Sequence, residues 1–182
     1  MKKTMVVLLV MVMFLFSFNV FAQAQSNWSV KLGIDFASEL DVEGEDPYDS
    51  DMGYSVTGEY IMPYRNGFDL GAGITLQLDR DFEDYDGNFG FTPIYGLAEY
   101  TMDNGPLYFI GHLGFASFSV DHEMFEDSSG GLYYALGAGM YITDQYTADI
   151  LYTNNSGEIE YTDGETSDAD YSKFTVSVGM RF

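Results

Sequence analysis

Phe174-Thr175-Val176-Ser177-Val178-Gly179-Met180-Arg181-Phe182 closes the chain and decides the fold. Phe174, Val176, Val178, Met180 and Phe182 fall on one face of an extended strand; Lys173, Thr175, Ser177, Gly179 and Arg181 fall on the other. A helix would scatter the bulky set around its axis, so period two means β. The opposite end of the chain alternates in the same way, with Trp28, Val30, Leu32, Ile34 and Phe36 facing away from Ser29, Lys31, Gly33, Asp35 and Ala37. Between them the pattern recurs strongly from Phe68 to Leu78 and from Leu132 to Ile142. Weaker versions run over Gly53–Met62, Phe91–Met102, Leu107–Val120 and Thr147–Asn154. Eight strands result, and Pro93, which has no N–H to give a ladder, predicts a bulge in the fourth.

Short turns (63–67, 103–106, 143–146) alternate with longer connections (38–51, 79–88, 119–130, 155–170). In an up-and-down sheet alternate connections share an end, so the molecule has a short-turn rim and a long-loop rim. Before the first strand, Lys2 and Lys3 precede an apolar run to Phe21 and then Ala22-Gln23-Ala24, the pattern of a cleaved secretory signal. The expected organisation is a signal peptide at 1–24 and one domain at 25–182. The apolar run is short for a membrane anchor, and no later stretch has the length and apolarity of a spanning helix.

Composition narrows the function. The 182 residues carry 7 Lys plus Arg against 29 Asp plus Glu, a net charge of -22. So few cations leave no surface for phosphate backbones, so nucleic acid is excluded as a partner. Zero Cys removes disulfides, thiolate metal sites and Cys nucleophiles. An apolar share of 46% is too high for a disordered acidic tail.

Alternation alone does not tell a soluble barrel, apolar inside, from a membrane barrel, apolar outside. Two features favour the second. The polar face is Gly, Ser, Thr and Ala with few charges, which suits a narrow lumen. The apolar face carries aromatics at both strand ends: Trp28, Tyr60, Phe68, Tyr100, Phe109 and Phe182 at the short-turn rim, and Phe36, Tyr54, Phe115, Tyr134, Tyr152 and Phe174 at the other. Two aromatic rings around an aliphatic band are the girdles of a bilayer-spanning barrel. The predicted fold is all-β, an eight-stranded antiparallel up-and-down transmembrane β-barrel.

The terminal aromatic strand, the signal segment and the glycine-bearing stretch Ala135-Leu136-Gly137-Ala138-Gly139-Met140-Tyr141 resemble the small outer-membrane barrels of the OmpA-transmembrane and OmpX type. The resemblance spans the mature chain. It implies a Gram-negative cell outer membrane with extracellular long loops and periplasmic short turns. It also implies lipid and lipopolysaccharide as surroundings and a monomeric state. The family's terminal strand is read by the barrel assembly machinery, which makes Phe174, Val176, Val178, Met180 and Phe182 the assembly signal.

Parity sends Asp35, Glu59, Asp69, Glu99 and Asp149 into the lumen with Lys31, Lys173, Arg181 and His112. The expected centre is an ionic cluster of Lys31, Glu59, Glu99, Lys173 and Arg181, paired because a lumen this narrow has little room for water. The same charges could instead form a gate or proton path, which keeps a narrow channel as the alternative function. A second alternative is a barrel enzyme acting on lipid A, but the two histidines, His112 and His122, have no serine at a nucleophile's spacing, and no catalysis is expected.

The long connections hold 22 of the 29 carboxylates and one cation, Arg80. Asp81, Glu83, Asp84 and Asp86 form a candidate divalent-ion loop. Asp84-Tyr85-Asp86-Gly87 is not an EF-hand, because Phe82 occupies that pattern's first ligand position. No cofactor is expected. The sequence therefore predicts an outer-membrane barrel with a structural or surface-interaction role and an acidic rim.

Overall fold

The computed structural model describes residues 27–43, 47–50, 52–78, 80–81, 88–103, 105–121, 125–161 and 166–182. The expected signal segment and most of the candidate ion loop lie outside them. Ten strands follow one another: β1 (Trp28–Val42), β2 (Tyr48–Ser50), β3 (Gly53–Arg65), β4 (Phe68–Gln77), β5 (Arg80–Asp81), β6 (Asn88–Thr101), β7 (Leu107–Asp121), β8 (Phe125–Tyr141), β9 (Tyr146–Tyr161) and β10 (Thr166–Arg181). Eight of them pair antiparallel in chain order, and β10 returns to β1 to close the barrel; β2 and β5 are short additions to β1 and β6. Closure runs from Ser29 opposite Arg181 to Phe36 opposite Phe174 and, past a register shift, on to Val42 opposite Ala169, with Phe182 N donating to Trp28 O at 2.9 Å. A closed barrel has no edge to leave unsatisfied in lipid.

The alternation sorts as the membrane arrangement requires. Leu76, Ile94, Leu113, Leu136, Ile150, Val176 and Val178 stand exposed on the outer wall. Phe36 packs on Phe174, and Phe174 on Tyr152, in the upper girdle; Trp28–Tyr60 and Phe68–Tyr100 pack in the lower one. Met180 shares their parity but is covered by its neighbours.

The structure corrects the strand ends. Three connections expected to be loops are largely strand: β1 runs on to Val42, β7 to Asp121, β9 to Tyr161, and β10 begins at Thr166. Their pattern is inverted. On β9 the outward residues change from Ile150 and Tyr152 to Asn154, Ser156, Glu158 and Glu160, while Ile159 points in and is buried. Tyr171 and Ala169 on β10 do the same, with Asp168 and Asp170 outside. Below the girdle the wall faces lipid and its interior holds the charges, with Ile61, Leu97, Ile110 and Leu151 packed among them; above it the wall faces water and its interior is apolar.

On β1 a bulge makes the inversion possible. Ala37 takes φ +46°, and the register with β10 jumps between Phe36 and Glu39. The extra residue turns Leu40 and Val42 inward and leaves Glu39 and Asp41 in water; without it all four would face the wrong way. Pro93, by contrast, makes no bulge. It pairs with Ala116 in an unbroken β6–β7 ladder and sits one residue beyond Ile94, where the β4–β6 ladder ends. The missing N–H falls where pairing has already stopped.

Above that level the barrel divides into two leaves, because the β7–β8 ladder also ends, at Ala116 and Gly131. One leaf is β5-β6-β7, the other β8-β9-β10-β1-β2. Phe89, Phe91 and Phe118 from the first meet Leu40, Val42, Ile159, Ala169 and Tyr171 from the second, all buried. The leaves close tightly at Gly130, where a Cβ would stand 1.9 Å from the Ala116 carbonyl oxygen.

Candidate functional site

The lumen is a column of inward side chains, described from the short-turn rim upward. At the bottom, β10 supplies Arg181, whose Nη2 lies 2.6 Å from Glu99 Oε2 on β6. Arg181 Nη1 donates to Tyr141 OH at 2.7 Å, and Tyr141 OH donates to Glu99 Oε1 at 2.7 Å. The three close a ring of charge-assisted bonds in which neither carboxylate oxygen is left bare.

One rung higher, Lys31 on β1 reaches two carboxylates at once, Glu59 Oε2 at 3.0 Å and Asp149 Oδ2 at 2.9 Å. Tyr95 OH donates to Glu59 Oε1 at 3.1 Å, Ser177 Oγ to Asp149 Oδ2 at 3.3 Å, and Tyr108 OH to Asp149 Oδ1. The acids are fully buried, so each needs these donors to offset lost hydration. Gly139 and Gly179 are the small residues beside this rung. A Cβ on Gly139 would run into Asp149 and Tyr108, and one on Gly179 into Lys31 and Thr147.

His112 follows, its ring stacked on Tyr95 at 4.1 Å between centroids and its Nδ1 3.1 Å from Tyr133 OH. Its Nε2 points toward Glu59 Oε1, 3.8 Å away. Above it Lys173 Nζ donates to Asp35 Oδ2 at 2.7 Å and Thr175 Oγ1 to Asp35 Oδ1 at 2.5 Å. The column then ends in rings. Phe91 lies flat between Phe118, at 4.3 Å, and Tyr171, at 5.7 Å, with Phe89 edge-on to Tyr171 at 5.2 Å.

All five residues of the sequence-predicted ionic cluster lie inside the barrel, in three separate groups rather than one. Lys31 meets Glu59, Arg181 meets Glu99, and Lys173 meets Asp35. Asp69 is half-buried near the short-turn rim. Sequence reasoning gave no role to Tyr95, Tyr108 and Tyr141, the donors that hold the carboxylates, or to Tyr133, the hydrogen-bond partner of His112; their parity with Glu99, His112 and Gly139 was the available signal. It missed the aromatic stopper altogether. Of the terminal strand, Phe174, Val176 and Val178 face outward, and Phe182 is half-covered beside Trp28. Asp81 lies in β5 with only its backbone described; Glu83, Asp84, Asp86 and His122 lie outside the described residues. Among the described residues no three His, Asp or Glu side chains converge as metal ligands.

An arrangement of this kind can seal a lumen and fix a wall. Known proteins agree on the scaffold. Similar solved structures include Ail, the attachment invasion locus protein of Yersinia pestis, at 14% identity and TM-score 0.57, over 87% of this chain and all of that one. Neisserial surface protein A is 16% identical at TM-score 0.54, over 86% and 98% of the two chains. AlkL, an outer-membrane protein, is 12% identical at TM-score 0.50, over 88% and 93%. No curated protein matches the chain. The model of the outer membrane protein beta-barrel domain matches residues 8–182, and the chain, an eight-stranded barrel of the outer membrane, belongs to that family.

Proposed function

We propose that this barrel does not conduct and acts by holding a folded, acidic head at the cell surface. The observation that carries the reading is the stack of Phe118, Phe91 and Tyr171, which fills the long-loop end of a lumen already crossed by three ionic rungs. Solute moving along the axis has to part both. His112 supports the absence of catalysis, since its Nδ1 is engaged by Tyr133 and its ring face by Tyr95. In planar bilayers the intact protein gives no steady conductance, whereas Phe91→Ala combined with Tyr171→Ala raises the frequency of openings. Steady conductance from the intact protein restores the channel reading.

The partners of the head are cationic. Register places Glu158 opposite Asp168 and Asp41 opposite Asp170, like charges that repel across a ladder unless ions intervene. The long-loop segments hold 22 carboxylates against Arg80. Ail has been seen with the heparin analogue sucrose octasulfate, a polyanion that this head would repel. Divalent cations shared with lipopolysaccharide phosphates fit better, with long loops extracellular and short turns periplasmic. Met52 at the long-loop end is 69% exposed and Tyr64 at the short-turn end of β3 68%. On intact cells an impermeant maleimide therefore labels Met52→Cys and spares Tyr64→Cys. Millimolar Mg²⁺ raises the melting temperature relative to chelator, and an unchanged melting point would remove the ion from the proposal.

A further inference from the structure

We infer that the lumen beside His112 is a binding site for small hydrogen-bonding molecules the size of water, and that they enter through the side of the barrel between β4 and β6. Three observations converge there. The first is a break in the wall. β4 stays on β3 as far as Gln77 opposite Ser55, and β6 stays on β7 through Pro93 opposite Ala116, yet the ladder between β4 and β6 ends at Ile74 and Ile94. Thr75 and Gln77 on one side, and Thr92 and Pro93 on the other, face each other without pairing. Proline cannot donate into that gap.

The second is a cavity of about 30 Å³ whose lining includes Thr75, Gln77 and Pro93 together with Glu59, His112 and Thr153. Thr75, Gln77 and Pro93 at the wall break are thus also part of the cavity's lining. A volume of that size, mostly apolar in its walls but with several polar side chains aimed into it, holds about two water-sized molecules.

The third is unmet hydrogen-bonding capacity. His112 Nε2 and Thr153 Oγ1 are buried and have no hydrogen-bond partner in the protein. The gap of 3.8 Å from Nε2 to Glu59 Oε1 is long for a direct bond and is readily bridged by one small molecule. A buried polar atom left unsatisfied is costly, so a ligand that both donates and accepts is favoured here.

Axial routes are closed by the aromatic stopper above and the Arg181–Glu99 pair below. The other seam that opens at this level, β7–β8, is tied by Ser128 Oγ donating to Phe118 O at 3.3 Å. The β4–β6 break lies at the height of the upper girdle, flanked outside by Leu76 and Ile94, where headgroup water meets the barrel.

The chain has no cysteine, which makes single-cysteine labelling clean. Thr153→Cys tests the cavity and Thr147→Cys is its control, because Thr147 is also a buried threonine of the lumen but lies outside the cavity lining. With folded protein in phospholipid vesicles, verified by heat-modifiable mobility, methyl methanethiosulfonate modifies Thr153→Cys faster than Thr147→Cys by about tenfold or more. Adding Gln77→Trp, or Thr75→Phe if the first does not fold, brings the Thr153→Cys rate down to that of the control. Equal rates for the two cysteines overturn the site, and fast labelling that survives the seam substitutions overturns the side entrance.

Discussion

Lys31 is held by two buried carboxylates, and that fact determines how its loss reads out. Lys31→Met leaves Glu59 and Asp149 facing one another without their cation, a change of the kind that costs about 3 to 5 kcal/mol. Adding Glu59→Gln removes one of the stranded charges and recovers part of the loss. A double-mutant cycle read by urea unfolding in vesicles measures the coupling, and a value near zero would mean that the two are separately solvated. That Lys31 and Glu59 share the lumen was legible from parity alone. Which cation meets which carboxylate was not, because partners across a barrel are set by the stagger between strands, and stagger leaves no mark on the period of any one strand. The tyrosine donors were hidden for a different reason. An aromatic at an inward position reads as filler until the carboxylate opposite it is known.

At the level of strands, what an outward position tolerates depends on its height. Val176, exposed in the lipid-facing band, should lose roughly 2 to 4 kcal/mol on conversion to Arg if it lies near the midplane. Asp168→Arg, on the same face of the same strand above the girdle, should cost little or stabilise, since it places a cation opposite Glu158. Ile159→Arg, inward and buried in the head, should be as damaging as the first. Unfolding in vesicles ranks the three, and a uniform penalty would refute the inversion. The inversion is also why the sequence under-read the strands. From Asn154 to Glu160 the outward residues are polar and the inward ones mixed, so the period fades although the backbone does not change. The terminal strand carries a second expectation. Phe182 N closes on Trp28 O through a backbone bond that Asp would keep, so Phe182→Asp strikes at the aromatic ring of the proposed assembly signal. Folded protein in the outer membrane should fall at low expression; undiminished levels would show that the last residue is dispensable.

As a whole, the molecule changes sides over a single cross-strand step. Tyr152 sits opposite Phe174, and the next outward pair above is Asn154 opposite Ser172. Aromatic gives way to polar within two residues, roughly 7 Å of strand. So sharp a boundary sets how deep the protein rides and how thick a hydrocarbon layer it prefers, because shifting it by one step would either wet apolar rings or sink polar groups into acyl chains. Asn154→Leu with Ser172→Leu extends the belt by one step without touching the lumen. The doubly substituted protein should shift its stability optimum toward vesicles of longer-chain lipids, measured by unfolding across an acyl-length series, and an unmoved optimum would place the depth control elsewhere. A protein built this way carries its own gauge of membrane thickness, and among bilayers of different lipid length it partitions toward the one that its two rings of aromatics just span.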